Sequence, residues 1–472
     1  MGSRIEADDV VVGSGPTGFA AVLALIQSGR SPAVVDCSPS PAYSLPKCSG
    51  SSRLALKTDS ARLGLFGYPR TLVTSADGRQ LPLSSARGGL GTIWGAGILA
   101  RHVNEMQELE PVMPGIEEAY SALFAALPVA GQADDLSRRF PWPVGTAATP
   151  QSKRCAEFVA TMKGVSDDVI VGAPRVALDV KRCIHLGSCL TGCPLGLFFS
   201  PAAALSRLAS EQRCRLVDGP VIEIRRDAKG LVLLLPGREL SANRVFLAAG
   251  PIGTPALLQR SDLAPRTLRV ADSAVFYMGF LNHRSVEGDE GKYAQAQAII
   301  FSAEAGQRDF QLSLYESNDY YFDTVASISS QLASAARPLR PLAGRFNAGI
   351  GFLDSSVSGE LVLRYSNGRT YVVRGRAKVR QHATEVLTRV RRALKGSGIS
   401  PVPGAVLVPP VGCGYHSGSG LPMGSEVLGF DGALRAEPRV HVVDATALPK
   451  IWAGSHTFTA MANAYRIARL DG

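Results

Sequence analysis

The run Val10-Val11-Val12-Gly13-Ser14-Gly15-Pro16-Thr17-Gly18 leads into an apolar stretch from Phe19 to Ile26 and then into Ala33-Val34-Val35-Asp36. It reads as a β-branched strand, a glycine turn, a helix and a second buried strand ending in a carboxylate. Glycines at 13, 15 and 18 permit a tight turn and close backbone approach, and the helix N-terminus that follows attracts a pyrophosphate. Asp36 sits about 20 positions after the turn, where a carboxylate accepts hydrogen bonds from ribose hydroxyls. A lone glycine motif is weak evidence. Strand, turn, helix, strand and acid in this order predict a dinucleotide site.

Outward from this segment, the chain has 472 residues, 46% of them hydrophobic and 19% charged. That length allows two or three domain-sized units, and the charged fraction is below the roughly 25% of an average globular protein. The 49 glycines and 30 prolines imply many turns, but no repeat points to a solenoid or propeller. No apolar stretch of about 18 residues predicts a membrane span. The first strand pattern begins almost at residue 1, so no secretory signal is expected, and the default compartment is the cytoplasm. Export to the periplasm with a signal-bearing partner stays open. The net charge of +10 comes from scattered lysines and arginines. With no basic stripe and no recognisable module, nucleic-acid binding is not expected. The plain reading is a solvated basic surface, although an anionic substrate, partner or membrane surface would also suit it.

Farther along, the pattern changes twice. Residues 101–175 carry the helical Glu117-Glu118-Ala119-Tyr120 and breaks at Pro141-Trp142-Pro143. From about 215 strands return, with Val221-Ile222-Glu223-Ile224 and Arg244-Val245-Phe246-Leu247-Ala248-Ala249-Gly250. Between 266 and 407, Phe310-Gln311-Leu312-Ser313-Leu314 alternates as an antiparallel strand does. Leu361 to Tyr365 and Tyr371 to Val373 read as a hairpin across Ser366-Asn367-Gly368-Arg369,. A helix is expected near 381–396. The predicted fold class is α/β (α+β overall). A discontinuous Rossmann-like nucleotide-binding domain (1–100, 176–265 and 408–472) holds an inserted antiparallel-sheet substrate or cap domain (101–175 and 266–407).

Four separated segments together resemble the glucose–methanol–choline (GMC) flavoprotein oxidoreductases. They are the N-terminal turn, Gly88-Gly89-Leu90-Gly91-Thr92-Ile93-Trp94-Gly95, Ala248-Ala249-Gly250-Pro251-Ile252-Gly253-Thr254-Pro255, and the C-terminal stretch from Tyr415-His416 through Val442-Val443-Asp444-Ala445 to Ala460-Met461-Ala462. The resemblance implies FAD. It assigns Gly13, Gly15, Pro16, Thr17 and Gly18 to the pyrophosphate turn, Asp36 to the ribose and Val221 to the adenine. Asp444 and Ala445 would sit beside the flavin and ribityl chain, and Ala249, Gly250 and Thr457 are further cofactor contacts that the resemblance implies. Gly89, Gly91, Thr92 and Trp94 would pass over the isoalloxazine. Ile93 stands where a sugar-oxidising branch has a histidine bonded to the flavin, which implies non-covalent FAD. His416, shortly before Met423-Gly424, resembles the family's catalytic base, and a neutral imidazole suits that task near pH 7. For the second catalytic position the alignment leaves His456 and Ser455 open, with His456 preferred.

The chain has 8 cysteines, too few for a secreted disulfide scaffold of this length,. Three cluster as Cys183-Ile184-His185-Leu186-Gly187-Ser188-Cys189-Leu190-Thr191-Gly192-Cys193-Pro194. The spacing matches three of the four positions of the bacterial ferredoxin run. Three thiolates suit the three irons of a 3Fe–4S cluster. A fourth ligand, His185 or Cys214, would be needed for a cubane, and zinc fits poorly. Buried thiols or one disulfide are the plainer readings. The other cysteines, Cys37, Cys48, Cys155, Cys214 and Cys413, share no spacing. The same spacing occurs in the FAD-dependent sugar dehydrogenases that the chain resembles. This implies oxidation of a sugar, glycoside or polyol hydroxyl, with electrons leaving through the cluster to a redox partner or small accessory subunit. Tyr315, Tyr320, Tyr321 and Phe322 are candidates to stack on a sugar ring. The rivals are an oxygen-using oxidase with inert cysteines, a non-redox flavin-dependent lyase and an accessory subunit that mainly relays electrons.

Overall fold

The computed structural model describes residues 4–37, 72–79, 81–101, 103–140, 145, 147–189, 193–227, 230–283, 292–303, 309–316 and 345–470. Cys48, Trp142, Tyr320, Tyr321 and Phe322 lie outside these residues. The fold is mixed α/β, as the patterns predict. Its first sheet runs in the order Ala433–Leu434, Glu437–Val442, Arg238–Leu247, Arg4–Val12, Ala33–Asp36, Arg215–Asp218. The last five of these strands are parallel to one another. Val10 and Val11 are wholly buried because their strand is central and covered on both faces,. A hairpin of Glu223–Asp227 and Gly230–Leu235 adds to this sheet antiparallel.

The helix Pro16–Gln27 packs against Thr457–Leu470, and Tyr465 donates to the Gln27 side chain between them. From the other side Ile116–Ala126 meets Thr457–Leu470, where the Tyr120 hydroxyl donates to Thr459 Oγ1 at 2.6 Å. The two ends of the sequence are thereby joined through one helix layer.

A six-stranded sheet, Ile399–Leu407, Val275–Asn282, Phe346–Leu353, Phe310–Glu316, Ala298–Ser302 and Val169–Gly172, is antiparallel throughout. The helix Val379–Ala393 buries Val379, Ala383, Val386 and Val390, a stripe at helical spacing that closes one face of this sheet,. A third sheet contains the predicted hairpin, Glu360–Ser366 with Arg369–Arg374. Its turn residues Asn367 and Gly368 both have positive φ, 49° and 74°. That backbone matches the twist of the strands, and an Asn-Gly pair adopts it readily. Among the described residues no helix is long and apolar enough to cross a membrane.

The glycine turn is fixed by backbone contact. Gly13 has φ +110°, and a Cβ there would lie 2.3 Å from the Ala248 carbonyl oxygen. A Cβ on Gly18 would lie 2.0 Å from the Gly13 carbonyl oxygen. Both obstacles are backbone and cannot swing away. Gly18→Ala should therefore cost roughly 3 kcal/mol or more in urea unfolding of the cofactor-free protein. Gly29 has φ +77° and nothing within 4 Å of a Cβ, so Gly29→Ala should cost only about 1 kcal/mol. Equal losses in the two variants would show that the turn is not held by this contact.

Candidate active site

A cavity of about 380 Å³ opens beyond the carboxyl ends of the parallel strands, where α/β sheets of this kind bind ligands. It runs from Asp36, Gly219 and Val221 past the glycine turn to His416 and His456. Gly15 caps the helix Pro16–Gln27 without a side-chain bond, and no acidic residue occupies the first turn. A Cβ on Gly15 would meet only the Gly88 carbonyl oxygen at 3.9 Å, and one on Gly89 would meet the Gly15 Cα at 3.6 Å. Two glycine backbones thus face one another across a slot with a helix N-terminus at its base. The residues present fit a dinucleotide pyrophosphate. The buried Asp36 accepts from the Ser14 hydroxyl, whose oxygen in turn accepts from Gly88 N at 2.7 Å. This short relay fixes the Gly88–Thr92 loop to the strand end that carries the acid.

Pro16, Thr17, Gly89, Gly91, Trp94, Val221, Ala249, Gly250, Asp444, Ala445, Ser455, His456 and Thr457 all line the cavity with Gly13, Gly15 and Asp36. Gly18 and Thr92 do not. Gly18 packs beneath the turn, and the Thr92 hydroxyl bends back to donate to Gly89 O at 2.9 Å. Gly91 has no room for a side chain, since a Cβ would lie 3.0 Å from both Pro16 and Pro201. Trp94 is anchored by its indole N–H donating to Phe199 O at 3.1 Å. The Asp444 carboxylate is largely taken up by the protein. It accepts from Gly250 N at 2.8 Å, Thr254 Oγ1 at 2.5 Å and Thr446 N at 2.8 Å, and burial raises its pKa. It staples the end of strand Glu437–Val442 to the start of helix Gly250–Arg260, and so places the Ala445 and Gly250 backbones at the cavity wall.

At the far end the two imidazoles meet, with ring centroids 5.2 Å apart and planes at 77°. Nδ1 of each is buried with no hydrogen-bond partner among the described residues. Burial pushes His416 down to about 4. His456 is lowered well below its usual value, first by burial, then by His416 and the nearby Arg101 cation. Both rings are therefore neutral near pH 7. Phe352, on the antiparallel sheet, lies 4.3 Å from the His416 ring. Ser455 is used differently. Its hydroxyl donates to Gly97 O at 2.8 Å, its N–H to Gln311 Oε1 at 3.2 Å, and its carbonyl accepts from Arg101 at 3.0 Å. Of the two candidates, His456 faces His416, and Ser455 braces the loop.

The His416 loop is gripped by the buried Asp272, whose two oxygens accept from Gly412 N at 2.7 Å and the Ser417 hydroxyl at 2.8 Å. Ser273 N donates to His416 O at 2.8 Å. Asp272, Gln311, Phe352 and Arg101 carried no sequence signal. Each acts through a contact with a residue far along the chain.

Cys183, Cys189 and Cys193 line one small pocket together with His185 and Tyr293. Among the described residues no group of three or more His, Cys, Asp or Glu side chains is placed to hold a metal ion. Cys214 is not at this pocket. It is buried, its thiol is pushed up to about 11, and its sulfur lies 3.9 Å from Leu205 O. Cys37 lines the nucleotide cavity, where burial and Asp36 push its thiol up to about 12.

No protein-family model matches the chain, and no curated protein matches it. The crystal structure of pyridoxine 4-oxidase from Mesorbium loti superposes with a TM-score of 0.61 at 16% identity, covering 98% of this chain and 99% of that one. The two chains share a fold. The match runs over both the parallel and the antiparallel sheets, as the near-complete coverage requires. At this identity the likeness is one of architecture, consistent with the two-domain flavoprotein fold expected from the sequence.

The histidine pair predicts a pH effect on stability. The unfolded chain binds a proton on His416 near 6.5, whereas the folded protein resists it down to about 4. The contribution is fully present above pH 6.5 and is lost as pH falls toward 4,. Urea unfolding should weaken over that window by on the order of 2–3 kcal/mol, and His416→Gln should flatten the slope. An unchanged slope would place the His416 ring in water.

Proposed function

We propose that the chain is an FAD-dependent oxidoreductase that removes a hydride from the carbon of a hydroxyl group. The observation that carries this reading is the pair of neutral imidazoles, each with a buried Nδ1 that has no partner among the described residues, at the end of a cavity whose glycine turn fits a dinucleotide. FAD, when bound, would supply the acceptor for the hydride, which carries both electrons of the oxidation. The protein's own work is to hold and to deprotonate. Gly15 and the start of helix Pro16–Gln27 receive the pyrophosphate, Asp36 a ribose, and the Ala249, Gly250 and Ala445 backbones the flavin end. His416 takes the hydroxyl proton, and His456 hydrogen-bonds the same oxygen. Phe352 covers one side of His416 with an apolar ring.

The substrate class we assign is a sugar, glycoside or polyol, on the motif resemblance around Tyr415-His416. We further propose that Cys183, Cys189 and Cys193 hold a 3Fe–4S cluster. In support, all three thiols open onto one pocket, and one thiolate per iron is the ligand count such a cluster needs. One-electron transfer to a redox partner is the chemistry it would supply. An oxygen-using oxidase is the second reading. It is favoured by the structural neighbour, which is named as an oxidase, and by the lack of a metal-ready ligand group among the described residues.

Two experiments decide among these. Anaerobic mixing of the FAD-loaded protein with D-glucose, sorbitol and pyridoxine should bleach the flavin with at least one of them. His416→Ala should then slow bleaching by roughly 10²–10⁴-fold. No bleaching by any hydroxyl compound, or full rate in His416→Ala, would remove the proposal. Iron and acid-labile sulfide analysis of anaerobically purified protein should give about three irons per chain. Iron-free protein that makes hydrogen peroxide in air would establish the oxidase.

A further inference from the structure

Tyr415 has φ +57°, a left-handed backbone that is costly for any side chain with a Cβ and rare for a bulky aromatic. Hydrophobic burial does not reward it, because the residue is 46% exposed. The surrounding structure imposes the conformation. Asp272 grips Gly412 on one side and Ser417 on the other. Ser273 N holds the His416 carbonyl, and Ser417–Gly418 pairs with Ala271–Asp272 as a short ladder. Gly414 is pressed so close that a Cβ would lie 3.0 Å from Ser273 O. With 412, 414, 416 and 417 fixed, Tyr415 takes whatever backbone remains. The result is an aromatic side chain lining the cavity beside His416, half open to solvent. Strain held in place by its surroundings at the edge of a site is the pattern that accompanies function.

Of the stacking aromatics expected on the inserted sheet, Tyr315 is among the described residues, and it does not line the cavity. Tyr315 belongs to the strand Phe310–Glu316, with its phenol pushed up to about 12 by burial. Tyr415 lines the cavity beside His416, whose phenyl neighbour, Phe352, is not among the cavity-lining residues.

We propose that Tyr415 is a specificity-determining residue, held in a strained loop so that its ring forms a platform for the flat, apolar face of a cyclic alcohol. This rests on the oxidoreductase reading and names the shape its substrate must have. A pyranose or heteroaromatic ring stacks on such a surface, and an open-chain polyol has no face to offer.

The test uses the FAD-loaded protein with D-glucose and pyridoxine as ring probes and sorbitol as the open-chain probe. Two readouts are taken, namely the concentration dependence of anaerobic flavin bleaching and the probe-induced rise in melting temperature, which requires no turnover. Tyr415→Phe keeps the ring, and Tyr415→Asn removes it while tolerating the left-handed backbone. Selectivity for the better ring probe over sorbitol should fall about tenfold in Tyr415→Asn and survive in Tyr415→Phe. Without probe, Tyr415→Asn should melt roughly 1–3 °C above the parent, because the strain is relieved. Undiminished selectivity in Tyr415→Asn overturns the proposal, as does a melting temperature that does not rise. A parent protein whose melting is unmoved by either ring probe also overturns it. Binding of a ring probe without bleaching would instead count against the redox reading and leave the platform standing.

Discussion

Everything in this molecule hangs on one backbone contact, the approach of the glycine turn to the end of strand Arg238–Leu247. Gly13 lies against the Ala248 carbonyl, and Gly18 lies against Gly13. No side chain fits in either place, so the turn can descend far enough for the helix N-terminus to open on the cavity. The same descent brings Gly15 opposite Gly89. Had the turn stood even one methyl group higher, the slot would be closed and the Ser14 bridge between Asp36 and Gly88 would not span.

The antiparallel sheet contributes the second half of the site without lining the dinucleotide end. Gln311 holds the Ser455 N–H, Phe352 faces His416, and Asp272, at the end of a strand in the third sheet, clasps the His416 loop. The two histidines are thus carried by segments near the C-terminus but positioned by residues from the middle of the chain. Their spacing registers any shift between the sheets, because each imidazole is braced from the opposite side. Arg101 adds a buried cation below the second loop, bonded to the Ser455 carbonyl and seated over the Trp452 ring.

What the sequence disclosed follows the range of the forces involved. The strand-turn-helix unit and the Asn367-Gly368 hairpin are local, governed by backbone sterics within a few residues, and both were legible. The motif singles out His416, and the fold brings it to the cavity wall. Whether Ser455 or His456 faces it was not legible, because that depends on Gly97, Gln311 and Arg101 capturing the serine and its backbone. Gly18 and Thr92, which the motif resemblance assigns to the cofactor, do not line the cavity: one packs beneath the turn and the other bonds back to Gly89. A glycine needed for packing and one needed for ligand approach look alike in a sequence. The cysteine run shows the same gap between composition and geometry. Its spacing supplies three thiols to one pocket, but the ligand arrangement depends on backbone angles that spacing leaves free.

The parallel sheet draws its strands from residues 4–36, 215–247 and 437–442, and its helix layer is completed by Thr457–Leu470. This order has a consequence for biosynthesis. The strand Arg4–Val12 is made more than two hundred residues before its neighbour Arg238–Leu247, and the helix that completes the layer, Thr457–Leu470, is made later still. Pairings of such long sequence separation form slowly, and until they form the apolar strand edges stay exposed. Arg4–Val12 can pair early with Ala33–Asp36, but its other edge waits for Arg238–Leu247. The cavity lined by Gly13, Asp36, Ala248 and His456 is therefore complete only after all of these distant segments have been made.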